Sequence, residues 1–305
     1  MAKRGPGQVA PMGRVAVVAH RKKSLGGGLA ELRRRIAEEG VDDPLWYEVS
    51  KSKKAAKRAR VALAAGAELV FVWGGDGTVQ RCLDALAGSP TAVAIVPAGT
   101  VNLLAANLGI PADLAEAVRV GLRGRRAKLD LGMVNGEHFA VMAGIGFDAK
   151  MIRDTDRKLK DRLGRLAYFW TALRHLTGTD TVMKIRLDGT KWFRGRATCV
   201  LLGNFGTVTG GIRAFPNARP DDGWLEVAVT TARNSVEWVQ AFGRVATGRP
   251  DRSPHTRITR ARRIEIVLAE PMAYELDGGT RGNTTRLAAE IRPAAITICL
   301  PPASS

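Results

Sequence analysis

The sequence predicts a layered α/β domain with a mostly parallel sheet, followed by a mainly β, sandwich-like second domain. Over about the first 125 residues, short apolar runs alternate with helical patterns, which is typical of βαβ units. After about Lys128, short strands follow one another with Asn-Gly and Asp-Gly dipeptides between them, which indicates antiparallel hairpins. We therefore expect one domain over residues 1–127 and another over residues 128–305, with the open alternative that the final strand returns to the first domain.

The first domain alternates strictly between strands and helices. Its predicted order is strand Arg14–Ala19, helix Leu29–Glu39, strand Leu45–Val49, helix Lys51–Ala65, strand Leu69–Trp73, helix Thr78–Ala87 and strand Ala92–Val96. Sheets of this kind bind ligands beyond the carboxyl ends of their strands. The loops at residues 20–28, 74–78 and 97–102 are therefore the candidates for ligand binding.

The third predicted strand ends in the glycine-rich turn Gly74-Gly75-Asp76-Gly77-Thr78. Without Cβ atoms, the three glycines can adopt positive φ and let backbone N–H groups approach an anion, with the positive end of the next helix behind them. The Asp76 carboxylate would repel a bare phosphate, so its presence indicates a Mg²⁺-nucleotide. An ordinary strand-to-helix turn with an Asp cap is the alternative, and the density of glycines favours phosphate binding.

One stretch of the second domain, Ala149–Thr177, has the pattern of a basic amphipathic helix. Leucines and a tryptophan recur at three- and four-residue spacing opposite lysines and arginines. A helix with this pattern can lie on a membrane surface, although an apolar stripe at this spacing more often packs against a core. We favour packing.

The net charge is the extreme property of the composition. The chain has 47 Lys and Arg against 29 Asp and Glu, a formal charge of +18, which predicts an anionic neighbour. Sparse aromatic residues and the lack of a reader motif argue against nucleic acid and favour an anionic membrane surface. Solvated helix faces are the structural alternative for the same charges.

Other features point to the interior of the cell. The three cysteines have no paired spacing, and the first apolar run, Val15–Ala19, is too short for a signal peptide or a membrane span. We therefore expect a cytoplasmic protein.

The glycine-rich turn and the following Pro97-Ala98-Gly99-Thr100-Val101-Asn102 together resemble the diacylglycerol kinase catalytic-domain family of bacterial and eukaryotic lipid kinases. Further agreement comes from residues 129–132, 143–149, 217–224 and 276–278. The resemblance implies an ATP- and Mg²⁺-dependent kinase that phosphorylates a primary hydroxyl of a membrane lipid such as diacylglycerol, peripheral at the inner membrane face. NAD kinases carry close relatives of the first motif, so an NAD kinase-like enzyme stays an open alternative.

The resemblance also assigns binding residues by position. It implies nucleotide contacts at Ser50, Gly74, Gly75, Asp76, Gly77, Thr78, Gly99, Thr100 and Asn102. A structural metal site made of two backbone carbonyls and one carboxylate maps to Arg219, Asp222 and Trp224, and a hairpin turn at Asp222-Gly223 is the alternative. A hard cation with oxygen ligands from one turn is chemically reasonable.

Three positions depart from the family pattern. His20 stands where many members have the Asn of an Asn-Pro pair, and we expect it to be a structural substitution. Leu103 stands where many relatives have an Asp. Gly279 replaces the Glu that accepts the proton of the lipid hydroxyl in relatives, so the usual base is missing.

We expect catalysis to depend on Asp76 at the Mg²⁺-phosphate and on Asp277, with Glu275 and Asp130 as further candidates for the missing base. Glu275 and Asp277 are two residues apart on a predicted strand and so should share a face. A non-catalytic homologue that binds nucleotide and lipid is the alternative. The sequence identifies neither the lipid nor the oligomeric state, and a homodimer stays open.

Overall fold

The structure, a computed structural model, describes residues 13–146, 180–208, 212–234, 236–238, 240–241 and 253–302. The chain divides into two compact units. The first unit comprises the chain up to Ala127 together with Ile296 onward, and the second unit is Lys128–Ala295.

The first unit contains a parallel sheet in which β2, β1, β3, β4 and the end of β16 lie side by side. Its strands are β1 (Val15–His20), β2 (Leu45–Val49), β3 (Leu69–Gly74), β4 (Ala92–Pro97) and the last residues of β16 (Gly279–Leu300). Every residue of β1, β3 and β4 is buried, as expected for parallel strands that are covered on both faces.

Within the residues that the structure describes, this unit has five helices and one 3₁₀ turn. They are α1 (Gly28–Glu38), the turn Ser52–Lys54, α2 (Ala55–Ala64), α3 (Asp76–Leu86), α4 (Leu103–Asn107) and α5 (Leu114–Arg123). The predicted alternation of strands and helices is confirmed within one or two residues at most ends. One predicted helix, Lys51–Ala65, is replaced at its start by the 3₁₀ turn, and the helix after β3 begins at Asp76 rather than at Thr78.

The described part of the second unit consists mainly of antiparallel strands. They are β5 (Arg125–Val134, which starts in the first unit), β6 (Glu137–Phe139), β7 (Met142–Ile145), β8 (Thr181–Leu187), β9 (Thr190–Ala197), β10 (Cys199–Gly203), β11 (Thr207–Val208), β12 (Ile212–Arg213), β13 (Leu225–Thr230), β14 (Thr256–Ala261), β15 (Arg263–Leu276) and most of β16.

Strand β15 takes part in two arrangements within this unit. Its first half pairs with β8, which pairs with β9, whereas its last residues, Tyr274–Leu276, pair with β7. A register shift between Val267 and Met272 separates the two halves. Inward-facing apolar residues of both arrangements form one core cluster, among them Ile145, Val200 and Ile266. This is the predicted sandwich-like domain.

Three of the four predicted turn dipeptides connect hairpins. Asn135-Gly136, Asp188-Gly189 and Asp277-Gly278 each have positive φ at both residues, the geometry of a two-residue hairpin turn. Asp222-Gly223 differs, because only Gly223 has positive φ and no strand ends directly before it. The hairpin alternative for this dipeptide is therefore wrong.

The amphipathic helix predicted at Ala149–Thr177 lies outside the described residues. Among the residues that are described, no helix is both long and apolar enough to cross a membrane.

Candidate active-site residues

The glycine-rich turn after β3 is shaped by close contacts. A Cβ atom at Gly74 would lie 2.6 Å from the Thr78 Cβ, and one at Gly75 would lie 3.1 Å from the Gly99 Cα. None of Gly74, Gly75 and Gly77 has positive φ, so this part of the prediction is wrong. The first two glycines are needed because other atoms occupy the space of a side chain.

The loop after β4 is folded around the side chain of Asn102. Its Oδ1 accepts a hydrogen bond from the Gly99 N–H at 2.9 Å, and its Nδ2 donates to the carbonyl oxygens of Pro97 at 3.1 Å and Gly99 at 2.9 Å. Asn102 itself has a φ of 52°, in the left-handed region that Asn tolerates better than most residues. Asn102 therefore shapes the loop, and Thr100 stays exposed beside it.

The two loops are in direct contact. A Cβ at Gly99 would lie 2.4 Å from the Gly75 Cα, so the two backbones touch where only glycines fit. The register of β3 and β4 explains the meeting, because Gly74 is opposite Pro97 at the carboxyl ends of these neighbouring strands. The structure thus brings both predicted phosphate loops together at one edge of the sheet.

The Asp76 carboxylate connects the same two loops. Its Oδ1 accepts the Leu103 N–H at 2.6 Å, at the start of α4. Burial raises the pKa of Asp76, while hydrogen bonds from the backbone of Leu103, Leu104 and Asn102 act in the opposite direction. Leu103, where many relatives have an Asp, therefore contributes its backbone N–H to this junction.

The N-terminus of α3 lies at the junction. The N–H groups of Thr78 and Val79 are bonded to the Gly75 carbonyl, at 2.8 and 3.1 Å, and the earlier N–H groups of the first turn have no partner within the helix. This helix end carries partial positive charge, which favours an anion.

Sequence reasoning missed one residue of this region. The Ser52 hydroxyl lies 2.9 Å from the Thr78 hydroxyl, whereas the predicted Ser50 is two residues away in the bend before the 3₁₀ turn. Ser52 and Thr78 are 26 residues apart in the chain, and only the docking of the 3₁₀ turn against α3 brings them together. Ser50 and Ser52 both follow β2, and this second hydroxyl was the signal in the sequence that could have identified Ser52.

His20 and Trp73 hold the loop that follows β1. The His20 Nδ1 accepts the Lys22 N–H at 3.3 Å, and the Trp73 Nε1 donates to the Lys23 carbonyl at 3.1 Å. Burial is the main cause that lowers the pKa of His20, so the ring is neutral near pH 7. These contacts support the expected structural role of His20.

In the second unit, Asp130 is a buried structural acceptor. Its Oδ1 accepts the Ala294 N–H at 2.7 Å and its Oδ2 accepts the Gly223 N–H at 2.7 Å. Its own N–H donates to the Pro220 carbonyl at 2.7 Å. Both carboxylate oxygens of Asp130 therefore fix backbone segments.

Asp277 has a similar position in the turn between β15 and β16. Its Oδ1 accepts the N–H groups of Val141 and Met142 at 2.8 and 3.0 Å, and its Oδ2 accepts the Ala140 N–H at 2.7 Å. Because β15 ends at Leu276, Asp277 does not lie on the strand. The prediction that Asp277 and Glu275 share a strand face is wrong, since the turn redirects Asp277 toward residues 140–142.

Glu275 is buried on β15, with 4% of its surface exposed. It is opposite Gly144 of β7, and its Oε1 lies 3.7 Å from the point where a Cβ at residue 144 would be. The neighbouring Tyr274 and Leu276 point into the sandwich core, so Glu275 points to the other face of the sheet. A glycine at position 144 leaves room for the carboxylate.

Gly279, at the position of the usual base, lies beside an ion pair. The Arg281 guanidinium donates to the Glu137 carboxylate through Nε at 2.9 Å and to the Gly279 carbonyl at 2.7 Å. A Cβ at Gly279 would lie 2.8 Å from Arg281 Nη1. A cation therefore occupies the space next to this position.

The predicted metal residues lie in the loop before β13. The Asp222 side chain is exposed, and its Oδ1 accepts the Trp224 N–H at 3.0 Å, which bends the chain between them. Within the described residues, no group of three or more His, Cys, Asp or Glu side chains could hold a metal ion. A site made of the Arg219 and Trp224 carbonyls with Asp222 stays a prediction.

Two family models and several known proteins match this chain over nearly its whole length. A model described as the diacylglycerol kinase catalytic domain matches residues 16–134, and one described as the YegS C-terminal NAD kinase beta sandwich-like domain matches residues 140–300. A protein of Klebsiella pneumoniae named probable lipid kinase YegS-like is 32% identical over 283 residues, which cover 90% of this chain and 91% of the relative. A diacylglycerol kinase of Bacillus subtilis is 28% identical over 255 residues, 82% of this chain and 83% of the relative.

Solved structures show the same fold. A diacylglycerol kinase of Bacillus anthracis matches with a TM-score of 0.77 and 25% identity, covering 96% of this chain and 98% of that chain. An NAD kinase of Archaeoglobus fulgidus in complex with ATP matches with a TM-score of 0.53 and 13% identity, covering 94% and 93%. The predicted fold class is confirmed.

Proposed function

Since the chain belongs to the family of lipid kinases with a diacylglycerol kinase catalytic domain, we propose that it transfers the γ-phosphoryl group of ATP to a primary hydroxyl of a membrane lipid such as diacylglycerol. One observation carries this proposal. The two glycine loops are packed backbone to backbone at the carboxyl ends of β3 and β4, with the N-terminus of α3 beside them. This geometry suits a polyphosphate, which backbone N–H groups bind without the steric hindrance of side chains.

Asp76 is the residue that would hold the magnesium ion of the nucleotide. Its carboxylate is a hard oxygen ligand in a partly buried place where burial disfavours the ionised form. A divalent cation reverses that preference, and it neutralises charge on the phosphates when bound. The same carboxylate keeps the two loops together through the Leu103 N–H.

We assign the role of proton acceptor to Glu275. Asp130 and Asp277 each use both carboxylate oxygens to accept backbone N–H groups, so both side chains are engaged in holding backbone segments in place. Glu275 is buried opposite Gly144 of β7, on the sheet face that is not occupied by the core, where no side chain at position 144 stands in front of it.

Chemically, the reaction makes a modest demand on this base. In a loose transition state the lipid hydroxyl keeps its proton until late, so positioning and charge stabilisation supply most of the rate. A general base adds a factor of about 10²–10⁴. A carboxylate on β15, just before the turn that carries the usual position, can therefore sustain turnover if it reaches the hydroxyl.

Restoring the family's Glu at position 279 is not expected to help this protein. The new side chain would lie against the Arg281 guanidinium, which already binds Glu137. A cation at that distance lowers the pKa of a carboxyl group and weakens it as a base. Gly279→Glu should therefore leave kcat unchanged or lower it.

The test is transfer of labelled phosphate from ATP to a chloroform-extractable product over a broad lipid panel. Glu275→Gln, which keeps the size of the side chain, should lower kcat by about 10²–10⁴. Asp277→Asn is the matched control, because it should lower stability by about 1–3 kcal/mol through the loss of backbone contacts. Labelling of NAD alone would show an NAD kinase-like enzyme, and ATP binding without turnover on any lipid would show a non-catalytic binding protein.

A further inference from the structure

One face of the second unit carries a row of basic residues on neighbouring strands. Lys184 of β8 is directly opposite Arg194 of β9 on one side and Val267 of β15 on the other, and Val267 is opposite Arg286 of β16. A second row contains Lys191 of β9, Arg186 of β8 and the acidic Glu265 of β15. The cationic face consists of Lys184, Arg186, Lys191, Arg194, Val267 and Arg286.

The alternation of these strands shows that the cationic face points to solvent. Met183, Ile185 and Ile266, which lie next to members of the face along the strands, are buried in the sandwich core. The basic residues of the face are exposed, and Val267 is 38% exposed. Four strands present this surface, which is about 14 Å wide at the usual strand spacing.

The charges of the face are poorly compensated by the protein. Within the described part of the chain, no carboxylate lies within ion-pair distance of Lys184, Arg194 or Arg286. Glu265 partly compensates Arg186, since its carboxylate is 4.0 Å from the Arg186 guanidinium, and it is itself 66% exposed. Lys184 and Arg194 are like charges directly opposite each other, an arrangement that destabilises a sheet.

We infer that the cationic face binds the surface of an anionic bilayer. A broad, solvent-facing row of cations matches a plane of lipid phosphates, and the exposed Val267 between them suits the apolar boundary of such a surface. Each basic residue near an anionic bilayer strengthens binding about fivefold. This inference rests on the proposed function, because that function requires the protein to reach a lipid in the membrane.

The experiment measures binding of the full chain to vesicles of phosphatidylcholine with about 30 mol% phosphatidylglycerol, and to vesicles without the anionic lipid. The face variant is Lys184→Glu, Arg194→Glu and Arg286→Glu together. The matched control reverses three exposed cations of the first unit, Lys57, Arg60 and Arg125, and so changes the net charge equally.

Wild type should bind only the anionic vesicles, with affinity that falls as salt rises. The face variant should lose at least about 100-fold in affinity, whereas the control should stay within about threefold of wild type. Single Lys184→Glu should weaken vesicle binding without lowering the melting temperature, because a Glu opposite Arg194 replaces repulsion with attraction. This single variant therefore distinguishes a loss of vesicle binding from a loss of folding.

The inference is overturned if wild type binds neutral vesicles equally well, if the face variant keeps its affinity, or if the control loses as much. It is also overturned if duplex DNA displaces the protein from vesicles through the same residues. Turnover on a detergent-dispersed short-chain diacylglycerol distinguishes the two proposals. Vesicle binding that depends on the cationic face, without such turnover, would support the inference and refute the kinase proposal. Turnover by the enzyme, together with unchanged vesicle binding in the face variant, would support the kinase proposal and refute the inference.

Discussion

His20 shows how a ring nitrogen replaces a side-chain amide oxygen. An Asn at this position, as in many relatives, can accept the N–H two residues on through its Oδ1, and the His20 Nδ1 accepts that same N–H from Lys22. The loop after β1 can thus keep its shape. The difference is that a histidine adds a titratable group at a buried position.

The first prediction concerns the pH dependence that this group adds. Burial lowers the folded-state pKa of His20 below 6.5, so the unfolded chain binds the proton more tightly. Its contribution to stability is complete above the unfolded-state pKa and is lost as pH falls through the folded-state pKa. His20→Asn should therefore lose less melting temperature than wild type between about pH 7 and pH 5. Parallel losses in thermal melts of the two proteins would contradict this.

A second prediction separates the two roles of Asp76. Asp76→Asn keeps an oxygen that accepts the Leu103 N–H, so stability should fall by only about 1 kcal/mol. The loss of the negative charge should weaken binding of Mg²⁺-ATP far more than binding of metal-free ATP. Isothermal titration with and without magnesium checks this, and equal weakening of both would show that Asp76 acts on the fold alone.

At the level of single residues, the sequence predicted where the loop glycines lie better than it predicted the physical reason that each glycine is needed. Gly74 and Gly75 are in the expected turn, but they are required by close contacts with Thr78 and Gly99 rather than by positive φ. These contacts depend on residues distant in the chain, which no local pattern reports. The structural use of Asp277 was hidden for the same reason, because its three N–H donors lie more than 130 residues away.

At the level of elements, the contact between the two glycine loops leads to a third prediction. In Gly99→Ala the new Cβ would lie 2.4 Å from the Gly75 Cα and 2.5 Å from the Asn102 Oδ1, so the loops must separate. Stability should fall by about 1–3 kcal/mol, and ATP affinity should fall with it. Gly282→Ala is the control, since no heavy atom lies within 4 Å of its new Cβ. Similar chemical denaturation and ATP binding for the two variants would contradict the role of this contact.

The loop before β13 is the subject of a fourth prediction. If Arg219, Asp222 and Trp224 hold a divalent cation, a chelator should lower the melting temperature of wild type. Asp222→Asn should show a smaller shift with chelator, because an amide oxygen binds a hard cation more weakly than a carboxylate. A wild-type melt that does not respond to chelator would remove the structural metal site.

Local patterns predicted most elements well. Apolar runs bounded by glycine-rich turns identified β1, β3 and β4, and the Asn-Gly and Asp-Gly dipeptides identified three hairpins. The division of β15 between two arrangements was not predicted, since β8 and β7, which pair with its first half and its last residues, lie far from β15 in the sequence.

At the level of the whole molecule, the single strand β16 contributes residues to both units. Its Thr297 and Ile298 pair with Ala92 and Val93 of β4, and its earlier residues pair with β15. Turn signals and apolar runs locate the strand but carry no information on which strand it adjoins, so the sequence left its domain assignment open.

A fifth prediction follows from the position of Ile298. Ile298 is fully buried in the first unit although it is near the end of the sequence. Ile298→Ala should cost about 2–5 kcal/mol of stability, measured by chemical denaturation, and should weaken ATP binding by the first unit. Val267→Ala on the exposed face of β15 is the control and should cost less than about 1 kcal/mol. Equal losses would mean that the last residues of β16 add little to the stability of the first unit.

The late position of β16 in the chain also determines when each unit of the protein can finish folding during synthesis. The ribosome makes the second unit between the two segments of the first, and at roughly 5–20 residues per second this takes on the order of ten seconds or more. Until the last residues of β16 emerge, the edge of β4 has no strand beside it, and an open strand edge invites pairing with other chains. The unit that is synthesised first is therefore completed last, and the nascent protein depends on its surroundings to keep that edge covered.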